Sequence, residues 1–397
     1  MSNPHPSGRR RATALACATV LAAAGALTAA PPAAALDHSA ATVAFDTELV
    51  AEQVRDLRPP TVPALETPIG YASMNGGTTG GFGAASYEEY VLSEYWPTSG
   101  YDEPGEAMYQ LLREHRHNED DGLVIYVDVT INEDDFGRSK MDVTDNFNVS
   151  ILGVGDQGRL TGVGTTVRRS HNIVFRNLTI HHVSQGEGTA IEVTDDSSNI
   201  WIDHNEFYSE LDNEPDKDYY DGLVDIKRNA AYVTVSWNYF HDHWKTMLLG
   251  HNDNESLAPD RITYHHNWFR NVNTRLPLAR FADVHMLNNF FQDVTGSAIN
   301  ARMGAQILVE GNYFLRAGSG EIDTHADQIQ GPVGWWYGSN ETGYWNLRDN
   351  IFVDSPHEHL SSTTDFTVPY AYTADDPATA RGLVEQYAGV GVVEVDP

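Results

Sequence analysis

The chain has 397 residues, 41% hydrophobic and 10% aromatic, enough to bury a sizeable core and too apolar for an intrinsically disordered protein despite a net charge of −31. With 25 Lys+Arg against 56 Asp+Glu, nucleic acid is excluded as a partner, because that binding relies on cationic side chains neutralising phosphates.

Arg9, Arg10 and Arg11 precede an Ala-rich apolar stretch from Ala14 to Ala30, and Ala33 and Ala35 complete an A-x-A pattern. Residues 1–35 therefore read as a secretory signal peptide, and the paired arginines also suit twin-arginine export. The run is short and broken by Gly25 and Pro31, which argues against a membrane anchor. No later segment is apolar for long enough to span a bilayer. The expected mature protein is secreted, extracellular, free of membrane contact and an elongated monomer. Its one cysteine, Cys17, lies in the signal, so neither a disulfide nor a cysteine nucleophile is expected after cleavage. Cleavage removes three arginines and no acids, leaving a net charge of −34. Most of that charge reads as a solvated acidic surface. Residues 36–66, with Pro59, Pro60 and Pro63, lack periodicity and read as an N-terminal extended arm. A single domain is expected over 67–397.

Within that domain, "GEAMYQLLREH" (105–115) has helical periodicity and is expected to cap the N-terminal end of the fold. Six Asn-x-Phe triplets follow, beginning at Asn205, Asn238, Asn267, Asn289, Asn312 and Asn350. Their spacings are 33, 29, 22, 23 and 38 residues, and each ends a short alternating run such as "IWIDHN", "VTVSWN" or "ITYHHN". "IVFRNLTI" places Asn177 as an earlier member. Alternation of this kind is strand periodicity. A strand recurring every 22 residues or more, with variable insertions, is the mark of a solenoid. The expected fold is all-β: a parallel β-helix with short capping helices and lateral loops, right-handed as the family resemblance given below implies. The asparagines would stack from coil to coil and tolerate the left-handed turn, with the phenylalanines forming an inward ladder. "DPATARGLVEQYAG" (376–389) would cap the C-terminal end, because terminal coils expose core and strand edges.

Four stretches carry combinations suited to chemistry: "GEGTAIEV" with Glu187 and Glu192, "YYDGLVDIK" with Asp221 and Asp225, "HDHWKTMLLG" with Lys245, and "NTRLPLARF" with Arg275 and Arg280. They flank successive repeats, so the solenoid would bring them to one lateral face. Asp221 and Asp225 offer hard oxygen ligands of the kind calcium prefers, with surface carboxylates as the alternative. His181, His182, His204, His241, His243, His265 and His266 lack a zinc motif and read as stacked ladder residues. Lys245, Arg275 and Arg280 form a cationic trio that would recognise an anionic extended polymer, since arginine pairs with carboxylates through a bidentate fork. Arg261 and Arg270 are expected in structural salt bridges.

Taken together, "NIWIDHNEF", "YYDGLVDIK", "VTVSWNYFHDHWKTMLLGHND", "NTRLPLARF" and "VHMLNNFF" resemble the pectate lyases of the first polysaccharide-lyase family. "MNGGTTGG" and "SILGVGDQGRLTGVG" match its N-terminal segments, and the likeness covers roughly 68–357. The resemblance implies calcium-dependent cleavage of polygalacturonate (pectate) by β-elimination. By motif it implies Asp221 and Asp225 as Ca2+ ligands, Lys245 and Arg280 as substrate-binding residues, and Arg275 as the base, with Asp203 and His204 structural. Arginine normally stays protonated, so the base needs surroundings that favour the neutral form. Two departures stand out: Thr189 sits where the family pattern has a calcium aspartate, leaving Glu187 as the substitute, and Ala282 replaces a glycine. Alternatives are a pectin lyase acting on methyl-esterified polymer without calcium, a β-helical hydrolase, and a non-catalytic polysaccharide-binding solenoid. The hydrolase would need a cluster of catalytic carboxylates, which the sequence lacks. The non-catalytic solenoid has no use for the cationic trio.

Overall fold

The structure is a computed structural model that describes residues 67–184, 188–211, 217–320, 330–335, 341–358 and 360–397. The expected signal peptide and arm lie outside the described residues, as does Glu187. No helix among the described residues is long and apolar enough to cross a membrane.

The alternating runs form strands, and every strand pairs in parallel with its counterpart in the next coil. Three sheets of ten, eight and nine strands result. One coil shows the pattern. Ala231–Ser236 lies in the ten-stranded sheet, Tyr239–Lys245 in the nine-stranded sheet and Met247–Leu249 in the eight-stranded sheet. The next coil repeats it with Asp260–His265, Trp268–Thr274 and Leu278–Arg280. The expected parallel β-helix is therefore present.

Its interior is layered as the repeats imply. Phe207, Phe240, Phe269, Phe291, Phe314 and Phe352 stack at centroid spacings of 5.0, 5.1, 5.0, 4.5 and 4.9 Å. The asparagines form a continuous hydrogen-bonded ladder. Asn238 donates its backbone N–H (3.1 Å) and Nδ2 (3.0 Å) to Asn267 Oδ1. Asn267 donates in the same way to Asn289, at 3.0 and 2.9 Å. Nδ2 of each also reaches a carbonyl of the preceding coil, as from Asn267 to Val235 at 2.8 Å. Each buried amide is thus paired on both sides.

Two expectations about this ladder need correction. The left-handed residue is the one before the ladder asparagine: His204, Trp237, His266 and Asn288 have φ of 51–54°. Asn177 is not a ladder member either. It occupies the left-handed position at φ 59°, and Leu178 N–H donates to Asn205 Oδ1. An asparagine suits both places, for αL tolerance in one and amide pairing in the other, so residue type alone did not separate them.

The helix Pro104–Glu114 covers the N-terminal end, burying Ala107, Met108, Leu111 and Leu112 into the main core. The helix Pro377–Tyr387 does not cap the other end. It lies beside the nine-stranded sheet, where Arg381 sits over Phe290 and Tyr313 at 5.1 and 5.0 Å. Irregular chain does the capping. Thr363 N–H bonds to Trp345 O at 2.8 Å, and Leu347 N–H to Ser362 Oγ at 2.9 Å, closing the outer strand Tyr344–Arg348. Backbone hydrogen bonds satisfy an open strand edge better than a helix side can.

The outer face of the ten-stranded sheet is crossed by the chain's N-terminal described segment. Tyr71 N–H bonds to Thr263 Oγ1 at 3.0 Å, and Gly81 N–H to Ser150 Oγ at 3.0 Å. Gly80 has φ 59°, and a Cβ there would lie 2.1 Å from Ser150 Oγ, so only glycine allows this approach. The histidines stack on the same principle as the phenylalanines: His204, Trp237 and His266 form one column, and His181, Tyr208 and His241 another. Asp203 is buried, accepting from Arg176 (2.9 Å), His204 (2.6 Å) and Ser236, which fits a structural role.

Two outcomes follow from this interior. Asn267→Ala leaves partners of both neighbouring coils unpaired and should lower the unfolding free energy by about 3 kcal/mol, read from urea denaturation; a loss within error would contradict the ladder's role. Buried His243 accounts for a pH effect. Burial pushes its pKa down to about 4, while the unfolded value lies near 6.5. Unfolded chains therefore bind the proton more readily, and stability is complete above about pH 6.5 and declines as pH falls toward 4. Urea midpoints measured from pH 7.5 down to about 5 should fall, and His243→Gln should flatten part of the slope. An equally steep fall in that variant would assign the effect elsewhere.

Candidate active site

The turn from the nine-stranded to the eight-stranded sheet repeats in successive coils, and a groove of about 560 Å³ runs across it. Lys245 ends Tyr239–Lys245, Arg275 follows Trp268–Thr274, and Arg280 ends Leu278–Arg280; all three line the groove. Parallel stacking brings together residues far apart in sequence, as Lys245 pairs in register with Thr274.

The three cations are held differently. Lys245 Nζ lies 2.6 Å from Asp218 Oδ1 and also contacts Asp221 Oδ1. The hydrogen bond from Lys245, then its charge, draws the pKa of Asp218 below the usual carboxylate value. Arg280 Nε donates to Asp253 Oδ1 at 2.8 Å and its NH1 to Gly250 O at 2.9 Å, fixing the side chain. Arg275, at φ 67° before the cis Leu276–Pro277 bond, makes no ion pair among the described residues, although its charge helps to lower the pKa of Asp218. Its backbone is held by the bond from Met247 N–H to its carbonyl at 2.8 Å.

The proposed cation ligands each lie against a glycine. A Cβ on Gly222 would come 2.7 Å from Asp225 Oδ1, and one on Gly188 would come 3.1 Å from Asp221 Cβ. Both carboxylates thus lie against backbone that carries no side chain. Asp225 is buried, accepting from Leu248 N–H at 3.0 Å and facing Lys227 Nζ at 3.0 Å. Burial disfavours the charged Lys227, but the Asp225 and Glu192 carboxylates outweigh it and hold its pKa above the ordinary value. Thr189 Oγ1 lies 3.4 Å from Asp225 Oδ2, so it stands at this site and contributes a hydroxyl. Glu192 is the register partner of Asp225. Asp221 and Asp225 are hard, charged oxygen donors of the kind Ca2+ prefers, and each also faces a lysine, Lys245 and Lys227 respectively. No cluster of three or more His, Cys, Asp or Glu suited to a metal occurs among the described residues.

Several groove residues were not anticipated: Lys217, Asp218, Trp244, Asn300 and Arg302. Arg302 had a signal. It follows Asn289 by thirteen residues, as Arg280 follows Asn267, and the two arginines are register partners. Of the two arginines expected in salt bridges, Arg261 pairs with Asp260 at 2.9 Å. Arg270 instead lies over the Trp268 ring at 5.7 Å, because its strand neighbour offers a ring face.

Known proteins resemble this chain. The model of the pectate lyase family matches residues 47–392. The pectate trisaccharide-lyase of Bacillus licheniformis is 42% identical over 325 residues, 82% of this chain and 86% of that protein. Pectate lyase A of Emericella nidulans is 36% identical over 327 residues, 82% of this chain and 86% of its own. Among solved structures, a pectate lyase from Bacillus sp. N165 in complex with trigalacturonate has TM-score 0.75 and 54% identity, covering 82% of this chain and 99% of that one. Pectate lyase C from Erwinia chrysanthemi at pH 9.5 with 30 mM Ca2+ has TM-score 0.65 and 26% identity, covering 84% and 97%. Matched by that family over most of its length and built as a parallel β-helix with a cationic groove, this chain belongs to the pectate lyase family.

Proposed function

We propose that the protein is a secreted, monomeric lyase that cleaves (1→4)-α-D-galacturonan by calcium-assisted β-elimination, releasing 4,5-unsaturated oligogalacturonides. One observation carries this reading: in a strongly acidic molecule, Lys245, Arg275 and Arg280 line a single groove. An acidic surface repels a polyanion, so attraction must be local. Secretion rests on the signal-like N-terminus.

In the reaction the C5–H bond breaks, a C4–C5 double bond forms, the C4–O bond breaks, and the leaving oxygen gains a proton. Negative charge builds on the C6 carboxylate next to C5. Lys245 and Arg280 hold substrate carboxylates, and Asp253 keeps the Arg280 fork oriented before substrate arrives. Arg275 takes the C5 proton. Among the described residues Arg275 makes no ion pair, whereas Lys245 and Arg280 are each held by an aspartate. Asp221 and Asp225 would hold Ca2+, with Glu187 as a third donor. When bound, the ion supplies electrostatic stabilisation to the carboxylate as charge develops. A pectin lyase reading fits less well, since an uncharged ester has no need of paired carboxylates and their cation.

Arg275→Ala should lower kcat on polygalacturonate by roughly 10²–10⁴-fold, followed by ultraviolet absorbance of the unsaturated product, while trigalacturonate still binds. Near-normal turnover would remove Arg275 as the base. Thorough chelation should abolish product formation, with recovery on adding Ca2+; unchanged activity would reject the calcium role. Asp221→Asn should raise the Ca2+ concentration needed for half-maximal activity, and calorimetric Ca2+ titration should show weaker binding than wild type.

A further inference from the structure

Trp244 has no place in the chemistry above, yet it lines the groove beside Lys245, with Asn273, Arg275 and Leu278. Its neighbours in the same strand are committed elsewhere: His243 is buried and Lys245 is held by two aspartates. Trp244 is half-buried. Among the described residues no ring stacks on it and no hydrogen bond holds its Nε1, and it is not a residue with some other partner. The other groups here show how unusual that is. Trp201 donates to Ser236 at 2.9 Å, and Trp268 donates to Gln292 at 3.1 Å. Trp237 is sandwiched between two histidines. An indole left with a bare face in a groove of cations offers a flat apolar surface and a free N–H donor at its edge.

Cations alone would make the groove intolerant. A pocket built to pair a carboxylate rejects an analogue without that charge, because its own buried charges are left unpaired. Stacking does not depend on substrate charge. A galacturonate ring keeps the same C–H face whether its carboxyl is free or methyl-esterified.

We propose that Trp244 is a specificity residue whose indole takes the C–H face of a sugar ring next to Lys245, so that a methyl-esterified residue is accepted at that position as well as a charged one. The proposal rests on the galacturonan-cleaving reading given above. Asn273 also lines the groove, and its Nδ2 donates to Thr295 Oγ1 at 2.8 Å. Trp244 is the one Trp, Tyr or Phe among the described residues lining the groove.

The test compares wild type, Trp244→Ala and Trp244→Phe on polygalacturonate and on partly methyl-esterified pectin, with Ca2+. In parallel, intrinsic fluorescence is followed as wild type and Trp244→Phe are titrated with trigalacturonate. Trp244→Ala should raise KM on both polymers by roughly 3–10-fold, the worth of an aromatic contact, and more on the esterified one, so that relative preference for it falls. Trp244→Phe should keep most of that preference. A wild-type fluorescence change on titration should be absent or much reduced in Trp244→Phe. Unchanged KM in Trp244→Ala, or a preference for esterified pectin that holds or rises, would overturn the proposal. Should Trp244→Ala fail to fold, the milder Trp244→Phe and the titration decide, and equal fluorescence changes in both proteins would overturn it. Absence of unsaturated product from either polymer would defeat the lyase reading instead, while a Trp244-dependent fluorescence change would still support stacking.

Discussion

The coil-to-coil asparagine ladder is the interaction on which the rest of this molecule depends. Each buried amide accepts from the coil before it through Oδ1 and donates through Nδ2, so a slip of one residue would leave two coils unpaired. That penalty locks the register of the nine-stranded sheet, and the phenylalanines two residues on fall into one column. Without disulfides, a solenoid held only by apolar packing would tolerate such slips more readily.

Locked register has a chemical consequence. The turn after each nine-stranded-sheet strand occurs at the same height on successive coils, so side chains placed there face one groove. Lys245, Arg275 and Arg280 come from two adjacent coils and Arg302 from a third. A precise groove arises from repetition, and function is added by choosing residues at positions the ladder already holds. The carboxylates use the same device, since Asp225 lies opposite Glu192 across the eight-stranded sheet.

Charge then divides the labour. A strongly acidic surface repels polyanions, so attraction for one has to be local, and cations gather in the groove. There each cation has a distinct neighbourhood. Arg280 is clamped by Asp253 and fits a static role, Lys245 is shared by Asp218 and Asp221, and Arg275 makes no ion pair among the described residues. Two arginines five residues apart in one short segment are thereby made chemically unequal by their partners alone.

By itself the sequence determined the repeat, the parallel architecture, the aromatic column and the identity of the cationic trio. All of these are encoded in local periodicity or in contiguous motifs, which need no knowledge of distant contacts. The tertiary structure decided what depends on contacts between coils or between distant segments. It moved Asn177 from the ladder to the left-handed turn, because a one-residue offset appears only once strands are paired. It laid the helix Pro377–Tyr387 along the side of the solenoid, where an aromatic surface awaited Arg381, and left the end to backbone hydrogen bonding. It also brought Asp218 onto Lys245, Arg302 beside Arg280 and Trp244 into the groove. Those pairings are fixed by stacking across 22 residues or more, a separation over which local sequence carries no record of who will meet whom.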